Sequence, residues 1–266
     1  MAPLLSLACV RSAPEPTTFP LPAPSLPAAK GAAGWTMFPW KGSAMYRVSR
    51  SGSVSSDVPE ERPVAASTAG IETLTREPSP GGASFTLAVT ALGVPARRGA
   101  VAEKVSGLLT GAQLVLEPFA AVAACNPRIV PLRADLSDLA VPVTGTIALG
   151  ESWSDSLWST LCVSGIAGVV RVQRLFLVVG DTIIAGAGAL IVERKDSVNL
   201  SGEGSMDRHP IALTGGGAGS ARIYLSVPGG QVLRIERLQR LTIGVASSAP
   251  KKSFTQRSTS VIELSR

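Results

Sequence analysis

Residues 221–246 read ARIYLSVPGGQVLRIERLQRLTIGVA, and the alternation inside them sets the fold class. Ile223, Leu225 and Val227 share one parity, with Arg222, Tyr224 and Ser226 on the other. Farther on, Leu233 and Ile235, then Leu241, Ile243 and Val245, alternate with Arg234, Glu236, Arg240 and Thr242. Successive side chains of a strand point to opposite faces, so each run presents one apolar and one polar face to its surroundings. These are half-buried antiparallel strands with arginines on the wet side.

Working outward, short β-branched runs recur at residues 128–132, 141–149, 169–179 and 189–193, separated by Gly, Pro, Asn or Asp. Residues 84–92 (SFTLAVTAL) alternate Phe85, Leu87 and Val89 and read as a further strand. The expectation is a mainly β protein, an antiparallel jelly-roll-like β-sandwich with one or two flanking helices and a disordered N-terminal arm. One helix is expected over residues 100–119, where Val101, Val105, Leu108, Ala112, Val115 and Phe119 recur at three- and four-residue steps and Pro118 limits the end. Its Gly107 and Gly111 form G-x-x-x-G, but Glu103, Lys104, Gln113 and Glu117 make it amphipathic, suited to packing on the sheet or touching a membrane surface. Residues 152–162 (SWSDSLWSTLC) read as a short helix or loop.

Three regions follow. Residues 1–82 form a Pro/Ser-rich disordered segment, in which Trp35, Phe38, Trp40 and Tyr46 gather as a docking segment or as a stretch that folds back onto the domain. Residues 83–246 form the β domain, and residues 247–266 a basic flexible tail. With 27 Gly, 20 Pro and only 5% aromatic residues, the composition suits short strands and many turns, and 45% hydrophobic residues suffice for a core.

The charge is unevenly placed. Residues 1–170 hold 12 basic and 12 acidic side chains, while residues 171–266 hold 13 and 7, so the whole excess of +6 lies in the last third. An acidic partner such as nucleic acid or an anionic membrane follows. Cys9, Cys125 and Cys162 are odd in number, far apart and without C-x-x-C spacing, which excludes a disulfide framework or cysteine zinc site and points to a reducing compartment. No apolar run reaches the eighteen or so residues of a membrane-spanning helix. Residues 1–10 make a poor secretory signal, while the Ser-rich, basic residues 1–56 keep an organelle-targeting reading open.

No catalytic motif emerges. The only histidine, His209, precedes Pro210 in a turn, so neither a His-based triad nor a multi-histidine metal site can be assembled. The run 214–220 (TGGGAGS) lacks the phosphate-loop lysine and is followed by a strand rather than a helix, so it reads as a hairpin loop. Gly186-Ala187-Gly188 is weak for the same reason, and Asp135 with Asp138 reads as a solvated turn. The expectation is a non-enzyme that needs no cofactor and no metal.

The order of segments in residues 141–246 resembles the 30K superfamily of plant-virus movement proteins, most closely its tombusvirus and ourmiavirus branch. The likeness rests on SDSLWSTLCVSGIAG (154–168) leading into VVRVQRLFLVVG (169–180), then GALIVERKD (188–196), a variable loop, and the closing strands ARIYLSVP and LQRLTIGVA. Where the family places an aspartate after the strand at 189–192, this chain has Glu193-Arg194-Lys195-Asp196, so Glu193 or Asp196 would hold that position. The resemblance implies a jelly-roll-like sandwich that binds single-stranded RNA without sequence preference, self-associates and carries a viral genome through plasmodesmata. The implied partners are single-stranded RNA, further copies of the chain, peripheral membrane, host plasmodesmal proteins and the viral coat protein, on the cytoplasmic side of the cell periphery. Backbone electrostatics nominate Arg171, Arg174, Arg222, Arg234, Arg237 and Arg240 as RNA contacts, with Tyr224 as a stacking platform and Lys251 and Lys252 in the tail. Two rivals remain: a jelly-roll coat protein, and an organelle-imported enzyme.

Overall fold

The computed structural model describes residues 34–58, 61–92, 103–111, 113–116, 129–141, 145–163, 166–206, 209–246 and 252–265. Thirteen strands and one helix are described. They are β1 (Trp35–Met37), β2 (Gly42–Ser56), β3 (Val64–Ser79), β4 (Gly82–Leu92), β5 (Lys104–Thr110), β6 (Gln113–Leu116), α1 (Ile129–Leu139), β7 (Gly145–Ile147), β8 (Ser152–Val163), β9 (Ile166–Ile184), β10 (Ala187–Met206), β11 (His209–Ser226), β12 (Val232–Ala246) and β13 (Lys252–Leu264). β1 and β7 pair with each other. The other eleven form one antiparallel sheet in the order β6-β5-β4-β3-β2-β13-β12-β11-β10-β9-β8.

That order is a meander bent into a ring. β2 to β6 pair in sequence, β8 to β13 pair in sequence, and β13 joins β2 along an eleven-pair register from Phe254↔Ser56 to Leu264↔Tyr46. The two edge strands, β6 and β8, come into contact, so the sheet is a nearly closed barrel. The expected jelly-roll sandwich is corrected here: long-range pairing occurs once, between β2 and β13, and every other neighbour in the large sheet is a hairpin neighbour.

The core lies on the inward face at one end. Tyr46 and Val48 of β2, Leu74 of β3, Leu87 of β4, Val178 of β9, Val192 of β10, Ile223 and Leu225 of β11, Ile235 of β12 and Ile262 of β13 are all buried there. Trp153 of β8 stacks on Phe176 of β9 with ring centroids 5.1 Å apart. α1 packs against β4, β5, β6 and β8 and joins the same core. Its Leu132, Leu136 and Leu139 recur at helical spacing and are buried, each contributing roughly 1.5–3 kcal/mol. Pro131 falls in the first turn, where its missing N–H costs nothing.

Several expected elements change identity. Residues 104–110 and 113–116 form the strands β5 and β6 instead of a helix, with Val105, Leu109, Leu114 and Leu116 inward, and the flanks of the expected helix lie outside the described residues. Residues 129–132, expected as a strand, begin α1. Residues 152–162 fall within strand β8, because Trp153, Asp155 and Leu157 alternate inward, the charged middle member hiding the period. Residues 42–56 and 64–79, placed in a disordered segment, form β2 and β3, and most of the expected flexible tail forms β13. Of the N-terminal aromatics, Tyr46 is fully buried and donates to the Val232 carbonyl at 3.1 Å, Trp35 and Trp40 pack against the core, and Phe38 is exposed.

The run TGGGAGS is not a hairpin loop. Gly215, Gly216, Gly217 and Gly219 lie mid-strand in β11, paired to β10 on one side and β12 on the other. A Cβ at Gly217 would lie 2.0 Å from the Arg240 carbonyl oxygen, and one at Gly215 2.3 Å from that of Thr242. Only glycine allows so close an approach of β12, and the neighbouring side chains Val198, Leu200, Leu241 and Ile243 close over this bare floor into a second small core with Val170. The true β9–β10 turn is Ala185-Gly186, both at positive φ, the geometry of a two-residue hairpin.

Candidate nucleic-acid interface

The registers sort the described side chains of the large sheet to the inside or the outside. One inward row runs Phe176, Arg194, Ala221, Arg237, Ser260, Arg50, Thr68 from β9 to β3, and the next runs Asp155, Arg174, Asp196, Gly219, Gln239, Ser258, Gly52 from β8 to β2. These rows form an ionic layer around the acidic face of α1. Asp138 accepts from Arg194 and from Arg237, each at 2.7 Å. Asp135 and Glu72 both pair with Arg50. Arg174 donates to Asp155 and to the Ser137 carbonyl at 2.7 and 2.6 Å, and Arg194 also donates to Asp196 at 2.9 Å. A Cβ at Gly219 would stand 3.1 Å from the Asp196 carboxylate, so that glycine makes its room.

The layer decides its own ionisation. Burial works to raise the Asp138 carboxyl, but Arg194 and Arg237, with Arg174 behind them, outweigh it and hold the group below its ordinary value. For Arg194 burial works downward and Asp138 with Asp196 prevail, raising it, so both partners are locked as ions. Glu72 goes the other way: burial raises it and Arg50 offsets that only in part. Asp135 and Asp138, expected as a solvated turn, are 0% and 2% exposed.

Measured against the residues nominated from sequence, the structure divides them. Arg174 and Arg237 point inward and are engaged by carboxylates, and Asp196 accepts from the Arg194 guanidinium. Arg222 faces outward but meets Glu193 across the β10–β11 ladder at 2.8 Å, and Arg234 meets Glu236 at 2.9 Å. The hydrogen bond to Glu193 raises the Arg222 guanidinium further. Tyr224 is half-buried beside Arg234 in register. Lys252 pairs with Glu61 at 3.3 Å, and Lys251 lies outside the described residues. The stripe expected from Arg222, Arg234, Arg237 and Arg240 is therefore not one surface.

A different basic belt replaces it. Three successive outward rows, read from β8 to β2, are Ser154, Leu175, Lys195, Ser220, Leu238, Thr259, Ser51; then Ser156, Gln173, Ser197, Ala218, Arg240, Arg257, Ser53; then Trp158, Arg171, Asn199, Gly216, Thr242, Thr255, Ser55. They contain four cations and no carboxylate. Lys195, Arg171 and Arg257 are exposed and Arg240 is half-buried. The Arg171 guanidinium lies 5.6 Å from the ring centre of Trp158, which is 61% exposed. Arg240 and Arg257 are direct cross-strand partners, which brings two guanidinium side chains to neighbouring positions of the outer wall. Sequence reasoning named Arg171 and Arg240 and left Arg257 in a flexible basic tail; it missed Lys195 and Trp158, whose outward parity is visible only with the strand registers in hand.

Among the described residues the fold and this belt define a class: a nearly closed meander β-barrel with an ion-paired helix packed against its inner core and a basic belt on an outer wall that also exposes Leu175, Leu177 and Val169. No helix among the described residues is long and apolar enough to cross a membrane. No protein-family model and no curated protein matches the chain. Among solved structures, a chain described as "Asymmetric conductivity of engineered proteins" is 10% identical over 84% of this chain and 100% of that one, with a TM-score of 0.22, a likeness too loose to carry any argument.

Proposed function

We propose that the protein is a non-catalytic RNA-binding barrel that holds single-stranded RNA by its backbone along the outer wall of β8 to β13. The observation that carries the reading is the carboxylate-free belt of Arg171, Lys195, Arg240 and Arg257. Hydroxyls and the amides of Gln173 and Asn199 fill the space between the cations, and these contact phosphate and sugar without reading sequence. Trp158, with Arg171 over its ring, offers one stacking platform for an unpaired base. The small outward residues Gly216, Ala218 and Ser220 let a strand lie close to the sheet.

Transport of a viral genome through plasmodesmata, implied by the family resemblance, gains no support from the meander connectivity, and the proposal stops at RNA binding. The test is fluorescence anisotropy of a labelled single-stranded oligouridylate against the full chain at low salt. Binding should weaken at least tenfold in Arg240→Ala/Arg257→Ala with the circular dichroism spectrum unchanged. Equal binding by that variant, or no binding by the wild type, overturns the reading. Vesicles of anionic lipid run in parallel decide against RNA if they bind through the same two arginines while the oligonucleotide does not.

A further inference from the structure

Glu72 of β3 and Asp135 of α1 meet on one guanidinium. Both carboxylates accept from the same terminal nitrogen of Arg50, an inward residue of β2, which places them side by side. Glu72 is 3% exposed and Asp135 0%, so water relieves neither charge.

This corner of the ionic layer lacks one positive charge. Glu72 Oε2 and Asp135 Oδ1 are both buried without a hydrogen-bond partner among the described residues. Ionised carboxylates only accept, so the two cannot satisfy each other. Arg50 Nε is also unpartnered, and it can take one of those oxygens at most while leaving the charge count unchanged. The count is two carboxylates to one guanidinium, and like charges sharing a buried site press one of them to keep its proton.

The surrounding elements supply no second cation. Tyr46, the cross-strand neighbour of Glu72 on β2, is kept neutral by burial and donates to the Val232 carbonyl. On the other side Glu72 faces Val89 of β4, a strand without a charged residue. Arg237 of β12 lies in the inward row of Arg50 but is taken by Asp138, as is Arg194 of β10, and Arg174 of β9 is taken by Asp155 of β8. Arg133, two positions from Asp135 and so on another side of α1, is shifted by burial alone. Lys104 of β5 is exposed, Glu103 beside it adds only negative charge, and β6 carries none.

A single proton meets both needs. On either carboxyl it makes that group a donor to the orphaned oxygen of the other, and it leaves one carboxylate against one guanidinium. We propose that Glu72 and Asp135 share one proton, and that this proton is a pH-sensitive latch fastening α1 to β2 and β3. Burial of Glu72, which Arg50 offsets only in part, acts in the same sense. As pH rises through the raised value, the proton passes to solvent, one negative charge is left uncompensated, and this side of the helix loosens. The Asp138 side does not follow, because that carboxylate is held below its ordinary value and stays ionised.

Two measurements on the full chain test the latch. Infrared difference spectra over a pH series should show a protonated-carboxyl band that titrates in one step above the ordinary carboxylate range of about 4. Glu72→Gln and Asp135→Asn, each of which restores one carboxylate to one guanidinium, should each remove the band from that range. Hydrogen exchange read by mass spectrometry and corrected for intrinsic rates reports the fastening. Protection of α1 in wild type relative to Glu72→Gln should fall about tenfold, about 1.4 kcal/mol, as pH rises from 4.5 to about 8. Relative to Asp135→Asn it should fall likewise, so misfolding of one variant leaves the other to decide. Arg257→Ala, on the outer wall, should keep the wild-type pH dependence. Absence of the band above the ordinary range, a protection ratio independent of pH, or an equal fall in peptides from β9 and β10 would each overturn the proposal.

Discussion

Asp138 joins two strands that do not touch along their ladders: Arg194 comes from β10 and Arg237 from β12, with β11 between them. One carboxylate thus fastens α1 to the wall, and its loss would leave two buried or half-buried guanidinium groups short of a counter-charge. Removing one partner of a buried ion pair typically costs about 3–5 kcal/mol, and Asp138→Asn should show a loss of that size in urea denaturation at neutral pH. The pH dependence has a definite sign. The folded value of Asp138 is depressed below its ordinary 3.8, so its contribution is complete above that value and disappears as pH falls through the folded one. The gap between wild type and Asp138→Asn should therefore narrow in acid. Glu72 behaves oppositely, since its folded value is raised above 4.5 by burial and the stability tied to its proton is lost as pH rises through that raised value. Relative to wild type, Glu72→Gln should gain stability as pH increases above about 4.5, measured by the same denaturation series; a difference independent of pH would contradict it.

β11 shows how an element can be specified by what its neighbours do. Gly217→Ala would place a methyl 2.0 Å from the Arg240 carbonyl, so β12 must shift or the pairing must break. Overpacking of this kind costs about 1–3 kcal/mol and should appear as a lowered denaturation midpoint. Gly188→Ala, with open space around the added carbon and ordinary φ, should stay within about 0.5 kcal/mol of wild type. The same element explains what sequence could and could not reveal. The upper halves of β11 and β12 were legible because Ile223, Leu225, Ile235 and Ile243 alternate cleanly with polar residues. The glycine run was not, since a local reading assigns glycines to turns and the close approach of β12 is a property of the pair. In 104–116 the inward Val105, Leu109, Leu114 and Leu116 are spaced at steps of four, five and two, and the outward Leu108 and Val115 supplied a false helical period. α1 begins with β-branched Ile129 and Val130, and its acids read as solvent-facing because their arginines come from β2, β10 and β12. β13 is polar over most of its length, so only pairing with both β12 and β2 reveals it as the strand that closes the ring.

At the scale of the whole chain, the net charge of +6 is not shared by the interior. The ionic layer sets Arg50, Arg174, Arg194 and Arg237 against Glu72, Asp135, Asp138, Asp155 and Asp196, one carboxylate more than it has arginines from the strands. The positive excess must then reside elsewhere, and on the outer wall it is patterned: Glu193, Arg222 and Glu236 alternate in one row, while the three rows beyond carry only cations. This patterning separates a belt from diffuse basic charge. A single strand of RNA held by Z cations releases counterions with a salt slope of about −0.7Z, so four contacts give about −2.8. Lys195→Ala and Arg257→Ala should each make the slope shallower by about 0.7, and together by about twice that. Arg222→Ala should leave the slope as it was, because Glu193 already neutralises that guanidinium. If Arg222→Ala instead changed the slope as much as Lys195→Ala, the RNA would be responding to total charge, and the belt would have no privileged role.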